Sequence, residues 1–157
     1  MIIAIGHYKL DVDVSRTRAA NSLLKPPNQE CECDVCQNFA PSISKADSKI
    51  LDFFESFGLD PKKASEVMQY GPVNNGEMLC AGLFHIVGEI IELKESNRND
   101  NVKISSYEID SEIILSERFK VGFTSDCSLV PEAFPKPHFQ LNITILLPWV
   151  MDYPPED

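Results

Sequence analysis

Two periods organise the hydrophobic positions of this chain, and the change from one to the other outlines a fold. Ile50, Leu51, Phe53, Phe54 and Phe57 recur at helical spacing and make a wide apolar stripe. Ser44-Lys45-Ala46-Asp47 ahead of them has the layout of a capping box, a hydroxyl followed three residues later by an acid. Gly58 stands where a left-handed C-terminal cap is wanted. Asp60-Pro61 then restarts a helix, because the carboxylate can cap it and proline is tolerated at the first helical position. Ala64, Val67 and Met68 form its inward face, and Gly71-Pro72 ends it. The pattern over 44–70 therefore predicts a helix pair.

From Met78 the period becomes two. MLCAGLFHIVGEIIEL (78–93) is apolar on both faces, which predicts a buried central strand bent at Gly82 or Gly88. A polar turn at 95–101 precedes a return strand over Val102 to Ile109. Ile113, Leu115, Phe119, Val121 and Phe123 mark a further strand, alternating with Glu112, Ser116, Arg118 and Lys120. A long connection rich in proline and serine follows, from Thr124 to Pro137. The last strand alternates cleanly. Phe139, Leu141, Ile143, Ile145 and Leu147 face inward and Gln140, Asn142 and Thr144 outward, and Pro148-Trp149 closes it.

Residues 1–43 carry weaker signals and read as mainly irregular, with a cysteine loop. IIAI suggests a short strand, and Leu10, Val12 and Val14 alternate with charges as a half-buried strand does. Ser15 to Asn21 is polar and reads as a loop or a short helical turn. Lys25-Pro26-Pro27-Asn28 breaks regular structure and leads into a cysteine loop. No internal repeat or low-complexity tract appears. Helices in one block followed by successive strands indicate the α+β class. The expected architecture is one domain over 1–157, with an antiparallel sheet of about four to five strands and the helix pair on one face. The tail 151–157 is acidic and proline-rich. The outward positions of the last strand leave the other sheet face to solvent, a partner or a second copy of the chain.

Composition narrows the partners. The apolar fraction of 43% and charged fraction of 24% are ordinary for a globular domain. The net charge is −10, and Arg16 with Arg18 is the nearest approach to a basic cluster. Nucleic-acid binding requires several phosphates to be neutralised at once, so this chain is not expected to bind nucleic acid. The helix pair is likewise a packing corner and not a DNA reader, since Lys62 and Lys63 both fall in the second helix's first turn. A protein partner with a basic surface suits the field, although acidic charge also serves simple solubility. No run approaches the ~20 consecutive apolar residues of a membrane span. MIIAIGHYKLDVD lacks the basic start of a secretory signal. With an odd set of 5 cysteines, the expected compartment is the cytoplasm, where thiols stay reduced.

The candidate chemistry lies in ECECDVC (30–36). Cys33-Asp34-Val35-Cys36 has the spacing that lets two thiolates reach one zinc ion, and Cys31 offers a third. The fourth ligand must come from elsewhere: His7, Cys80, Cys127, His138 or an acid, with His7 taken as the candidate. Unligated thiols and redox chemistry are the competing readings. Glu30, Glu32 and Asp34 disfavour thiolates by like charge, which counts against a catalytic cysteine. Pro41 is expected to stop any helix early, which counts against a redox pair seated on a helix N-terminus. His85 and Glu89 lie about 13 Å apart along a regular strand, so they form no dyad. His85 is expected to be a core histidine with a backbone partner, and His138 to be exposed. No phosphate-binding glycine loop, serine-hydrolase elbow or His-Glu-x-x-His motif occurs. The reading that follows is a non-catalytic protein-binding module, its cysteine loop organised by zinc. A metal- or thiol-dependent enzyme using Cys31, Cys33 and Cys36 is the alternative, and a homo-oligomeric structural protein a third.

Overall fold

The structure, a computed structural model, describes residues 1–73, 76–93 and 113–155. In chain order its elements are β1 (Ile2–Ile5), β2 (Tyr8–Val12), α1 (Val14–Ser22), α2 (Pro27–Glu30), α3 (Asp34–Ile43), α4 (Ser48–Phe57), β3 (Glu66–Pro72), β4 (Met78–Leu93), β5 (Ile113–Ser116), β6 (Phe119–Thr124) and β7 (His138–Leu147). The strands form one 7-stranded sheet in the order β1-β2-β4-β7-β6-β5, with β3 also on β4, and every pairing is antiparallel. The class is α+β, with more strands than the hydrophobic pattern alone predicts.

β4 organises the sheet because it is apolar on both faces and long enough to be shared. One edge pairs with β7 from Met78↔Leu147 to Val87↔His138. The other edge is divided: β3 takes the first half, with Val67 opposite Gly82, and β2 takes the second, with Val12 opposite Gly88. Gly88 holds a backbone conformation that glycine alone adopts readily. Its φ is 143°, and a Cβ there would lie 2.0 Å from the carbonyl oxygen of Asp11.

Inward side chains of β4 and β6 meet α4, and those of β7 complete the same core. Phe54 packs its ring against Phe84 and Phe119, with centroids 5.1 and 5.8 Å apart, and Phe57 packs on Phe123. Phe39 and Ile43 of α3 join the same core. α4 ends at Gly58 as its sequence predicts, with φ 81°. A side chain there would meet the carbonyl of Val14 at 2.6 Å, so glycine also lets α1 and α4 touch.

Several expectations are corrected. The second helix of the pair does not form: 61–65 is a turn and 66–72 is β3. Asp60 caps only a turn, its carboxylate accepting from the Lys62 N–H, and Ser65 N–H then bonds Leu83 O in β4. An open edge of β4 offers a row of backbone partners that outweighs a weak helical pattern. Asp47, rather than Ser44, is the N-cap of α4, accepting from Ile50 N–H. The strand over 113–123 breaks into the β5–β6 hairpin around Glu117 and Arg118. The return strand over 102–109 and the turn at 95–101 lie outside the described residues.

Residues 1–43 are largely regular. Val14 begins α1 and does not continue β2. α1 buries polar residues, Thr17 and Asn21, so it shows no apolar stripe. Thr17 Oγ1 accepts from Val87 N–H, and Asn21 Oδ1 accepts from Asp60 N–H. This helix is docked by hydrogen bonds. α3 also persists past its internal Pro41. Cys36, Phe39, Ala40 and Ile43 bury one of its faces, and that burial offsets the hydrogen bond the proline removes.

Gln140 is the exception on the polar face of β7. It is 4% exposed, because the 124–137 connection folds over that end of the sheet and Ser128 N–H donates to its Oε1.

Candidate metal centre

The cysteine loop is a joint between two helices. Pro27 opens α2, a single turn whose C-cap is Cys31, and Cys33 is the N-cap of α3. Only Glu32 stands between them. Cys31 and Cys33 both have extended backbone, with φ/ψ of −132°/128° and −66°/154°. Residues two apart on an extended chain point the same way. Cys36 lies in the first turn of α3 and returns its side chain to the same place. The three sulfur atoms lie within 4.8 Å of one another, with Cys31 and Cys33 Sγ 3.0 Å apart.

Side chains that the sequence did not single out hold this joint. Gln37 donates from Nε2 to the carbonyls of Asn28 and Cys31, at 3.0 and 2.8 Å. Asn38 is buried and clamps the C-terminal segment. Its Nδ2 donates to Pro148 O, and its Oδ1 accepts from Val150 N–H. Tyr153 donates to Asp34 Oδ1, and Trp149 donates to Tyr153 O. No local motif announces Gln37 or Asn38, since both bonds depend on segments brought together by folding.

Exposure grades across the cluster: Cys33 is exposed, Cys31 half-buried and Cys36 buried. Burial pushes the Cys36 thiol far up, and its hydrogen bonds to Cys31 and Cys33 push the same way. Cys31 is held below the ordinary thiol range, first by the Cys33 side chain, then by the Cys33 backbone N–H and Cys36; desolvation and then the charge of Glu66 oppose. The neighbouring acids therefore do not govern the loop as expected. Glu30 and Glu32 are exposed, and water screens exposed charge. Pro41 does not deny the pair a helix N-terminus either, because α3 forms with Cys33 as its cap.

The remaining candidates lie elsewhere. His7 sits in the β1–β2 turn with its ring 4.2 Å from that of Tyr8, which pairs with Leu93 at one end of β4. α3 is pinned at Pro148, beyond the Met78↔Leu147 pair at the other end. The structure thus does not bring His7 to the three cysteines. Cys80 is buried in the core, its thiol pushed up to about 11 by burial. Cys127 is half-buried and raised by burial and by Asp126. His138 is half-buried, not exposed, with Nδ1 2.9 Å from Pro135 O.

His85 is the expected core histidine. Its Nε2 lies 2.9 Å from Ser128 O and its Nδ1 3.0 Å from Ser65 Oγ. A carbonyl only accepts, so Nε2 carries the proton and Nδ1 accepts from the serine hydroxyl. Burial lowers its pKa, the Ser128 carbonyl opposes, and His138 lowers it further. The folded state therefore favours the neutral ring. Its contribution to stability is full above the unfolded value of about 6.5 and is lost as pH falls below it. Wild type should lose more stability than His85→Gln between pH 7.5 and 5.5, compared by urea midpoints. Equal losses would show that His85 does not carry this pH dependence.

Among the described residues, Cys31, Cys33 and Cys36 are the cluster able to hold a metal ion. No described helix is long and apolar enough to cross a membrane. No protein-family model, curated protein or solved structure matches the chain.

Proposed function

We propose that the chain is a small acidic protein-binding module whose cysteine loop is organised by one zinc ion held by Cys31, Cys33 and Cys36. The convergence of three sulfur atoms within 4.8 Å carries this reading. Thiolates at about 2.3 Å around a tetrahedral ion stand about 3.8 Å apart, inside that spread. Soft sulfur donors suit zinc better than the hard cations magnesium and calcium. Once held by the metal, the three thiolates would tie the end of α2 to the first turn of α3. Through Asn38 and Asp34 that order would extend to 148–153. Zinc supplies a structural cross-link in this reading, and water or a residue outside the loop completes its coordination.

The net charge of −10 supports a partner with a basic surface, because opposite fields steer encounter. Such binding weakens as salt rises.

Protein purified under reducing conditions, without chelator or affinity metal, should carry about one zinc per chain. Chelation should release it as Cys31, Cys33 and Cys36 become open to alkylation. Cys36→Ser should lower the zinc content well below that of wild type. Metal-free protein that takes up no added zinc, with these thiols reactive from the start, would refute the reading.

A further inference from the structure

We propose that Cys31 and Cys33 form an oxidative modification site, in which a hydroperoxide joins them as a disulfide and leaves Cys36 a thiol. The displacement of zinc that follows rests on the metal reading above; the pairing itself does not. Three observations select this pair from the three thiols. Cys33 is exposed and Cys31 half-buried, whereas Cys36 is buried, so an oxidant from solvent meets the first two. Their sulfurs are 3.0 Å apart, and a disulfide of about 2.05 Å needs a closure of only about 1 Å. Both residues also lie outside the helical turns, as the caps of α2 and α3. Their union leaves the Gln37 N–H to Cys33 O bond and the Asn38 clamp in place. A Cys33–Cys36 disulfide would instead have to be accommodated in the first turn of α3, around a buried side chain.

The chemistry balances with peroxide as the only oxidant. The Cys33 thiolate attacks one oxygen of the peroxide, the O–O bond breaks, and hydroxide leaves Cys33 as a sulfenic acid. The Cys31 thiolate then attacks the Cys33 sulfur, and the hydroxyl leaves as water after taking a proton. Two thiols and one hydrogen peroxide give one disulfide and two waters, and both electrons reach the peroxide oxygens. Zinc keeps its charge throughout. Two of its three thiolates are consumed, and Cys36 alone cannot hold it, so the metal leaves. A dithiol reductant restores both ligands.

Metal-free and zinc-loaded protein are each treated with one equivalent of hydrogen peroxide, alkylated, digested and mapped by mass spectrometry. The expected product in both is a Cys31–Cys33 cross-link with Cys36 alkylated, and zinc-loaded protein releases one ion per disulfide to a chromogenic chelator. Dithiothreitol should reverse it. Cys31→Ser and Cys33→Ser should each slow intramolecular disulfide formation at least about tenfold, because the neighbouring thiol supplies the effective concentration. Metal-free Cys36→Ser should still yield the Cys31–Cys33 cross-link, because the third thiol takes no part in the bond. A Cys33–Cys36 cross-link, or sulfinic acid without a disulfide, overturns the proposal even if zinc binds. Correct mapping in protein that takes up no zinc upholds the pairing and refutes the metal reading alone.

Discussion

Phe54→Ala is expected to lower the free energy of unfolding by about 3–5 kcal/mol, the usual range for truncating a buried phenylalanine. The side chain is fully buried and touches Phe53, Phe84 and Phe119, so it joins α4 to two strands that are not neighbours in the sheet. Removing the ring forfeits its transfer from water and leaves a cavity walled by side chains that the sheet holds in place. A small domain has only about 5–15 kcal/mol in total, so the variant should unfold at a much lower urea concentration. The slope of free energy on urea should stay unchanged, because the folded and unfolded states expose the same surface difference. A loss below about 1 kcal/mol would mean that α4 does not pack on the sheet as described.

Gly88→Ala is the second large effect, and its origin is backbone. A φ of 143° is open to glycine and strained for any residue with a Cβ. Strain of this kind costs about 1–3 kcal/mol. The added carbon would also lie 2.0 Å from Asp11 O, and that carbonyl belongs to β2, paired to β4 at this point. It cannot retreat without opening the β2–β4 ladder. Gly71 is the control: its φ is 103°, yet nothing lies within 4 Å of its Cβ position. Gly71→Ala should therefore cost the strain alone. Thermal melts of the two variants separate the terms. Equal destabilisation would mean that the close approach of β2 and β4 at Gly88 contributes nothing.

The candidate centre was partly legible. The spacing of Cys31, Cys33 and Cys36 names three donors, and extended backbone followed by a first helical turn does bring them together. The spacing carries no information on what lies across the fold, so His7 looked as eligible as any other residue. His7 sits in the turn before Tyr8, which pairs with Leu93, while α3 is anchored beyond Leu147. Neighbours in sequence do not decide the thiol electrostatics either. Glu30 and Glu32 are exposed and Asp34 is engaged by Tyr153, whereas the thiols act on one another at close range.

What the chain specifies locally is what one residue type can enforce by itself or with neighbours a turn away. The aromatic stripe of α4, the Gly58 cap, the two-faced apolar run of β4 and the alternation of β7 all belong here, and they determine the α+β class. Tertiary structure decided the rest. Val67 sits in a strand because an edge of β4 was open. α1 is a helix because Thr17 and Asn21 find partners in Val87 and Asp60. Gln140 is buried because the 124–137 connection covers it. Hydrophobic periodicity records only the burial of apolar groups. Where a segment is held by hydrogen bonds to distant backbone, its partners have no fixed offset in sequence, and only the folded chain reveals them.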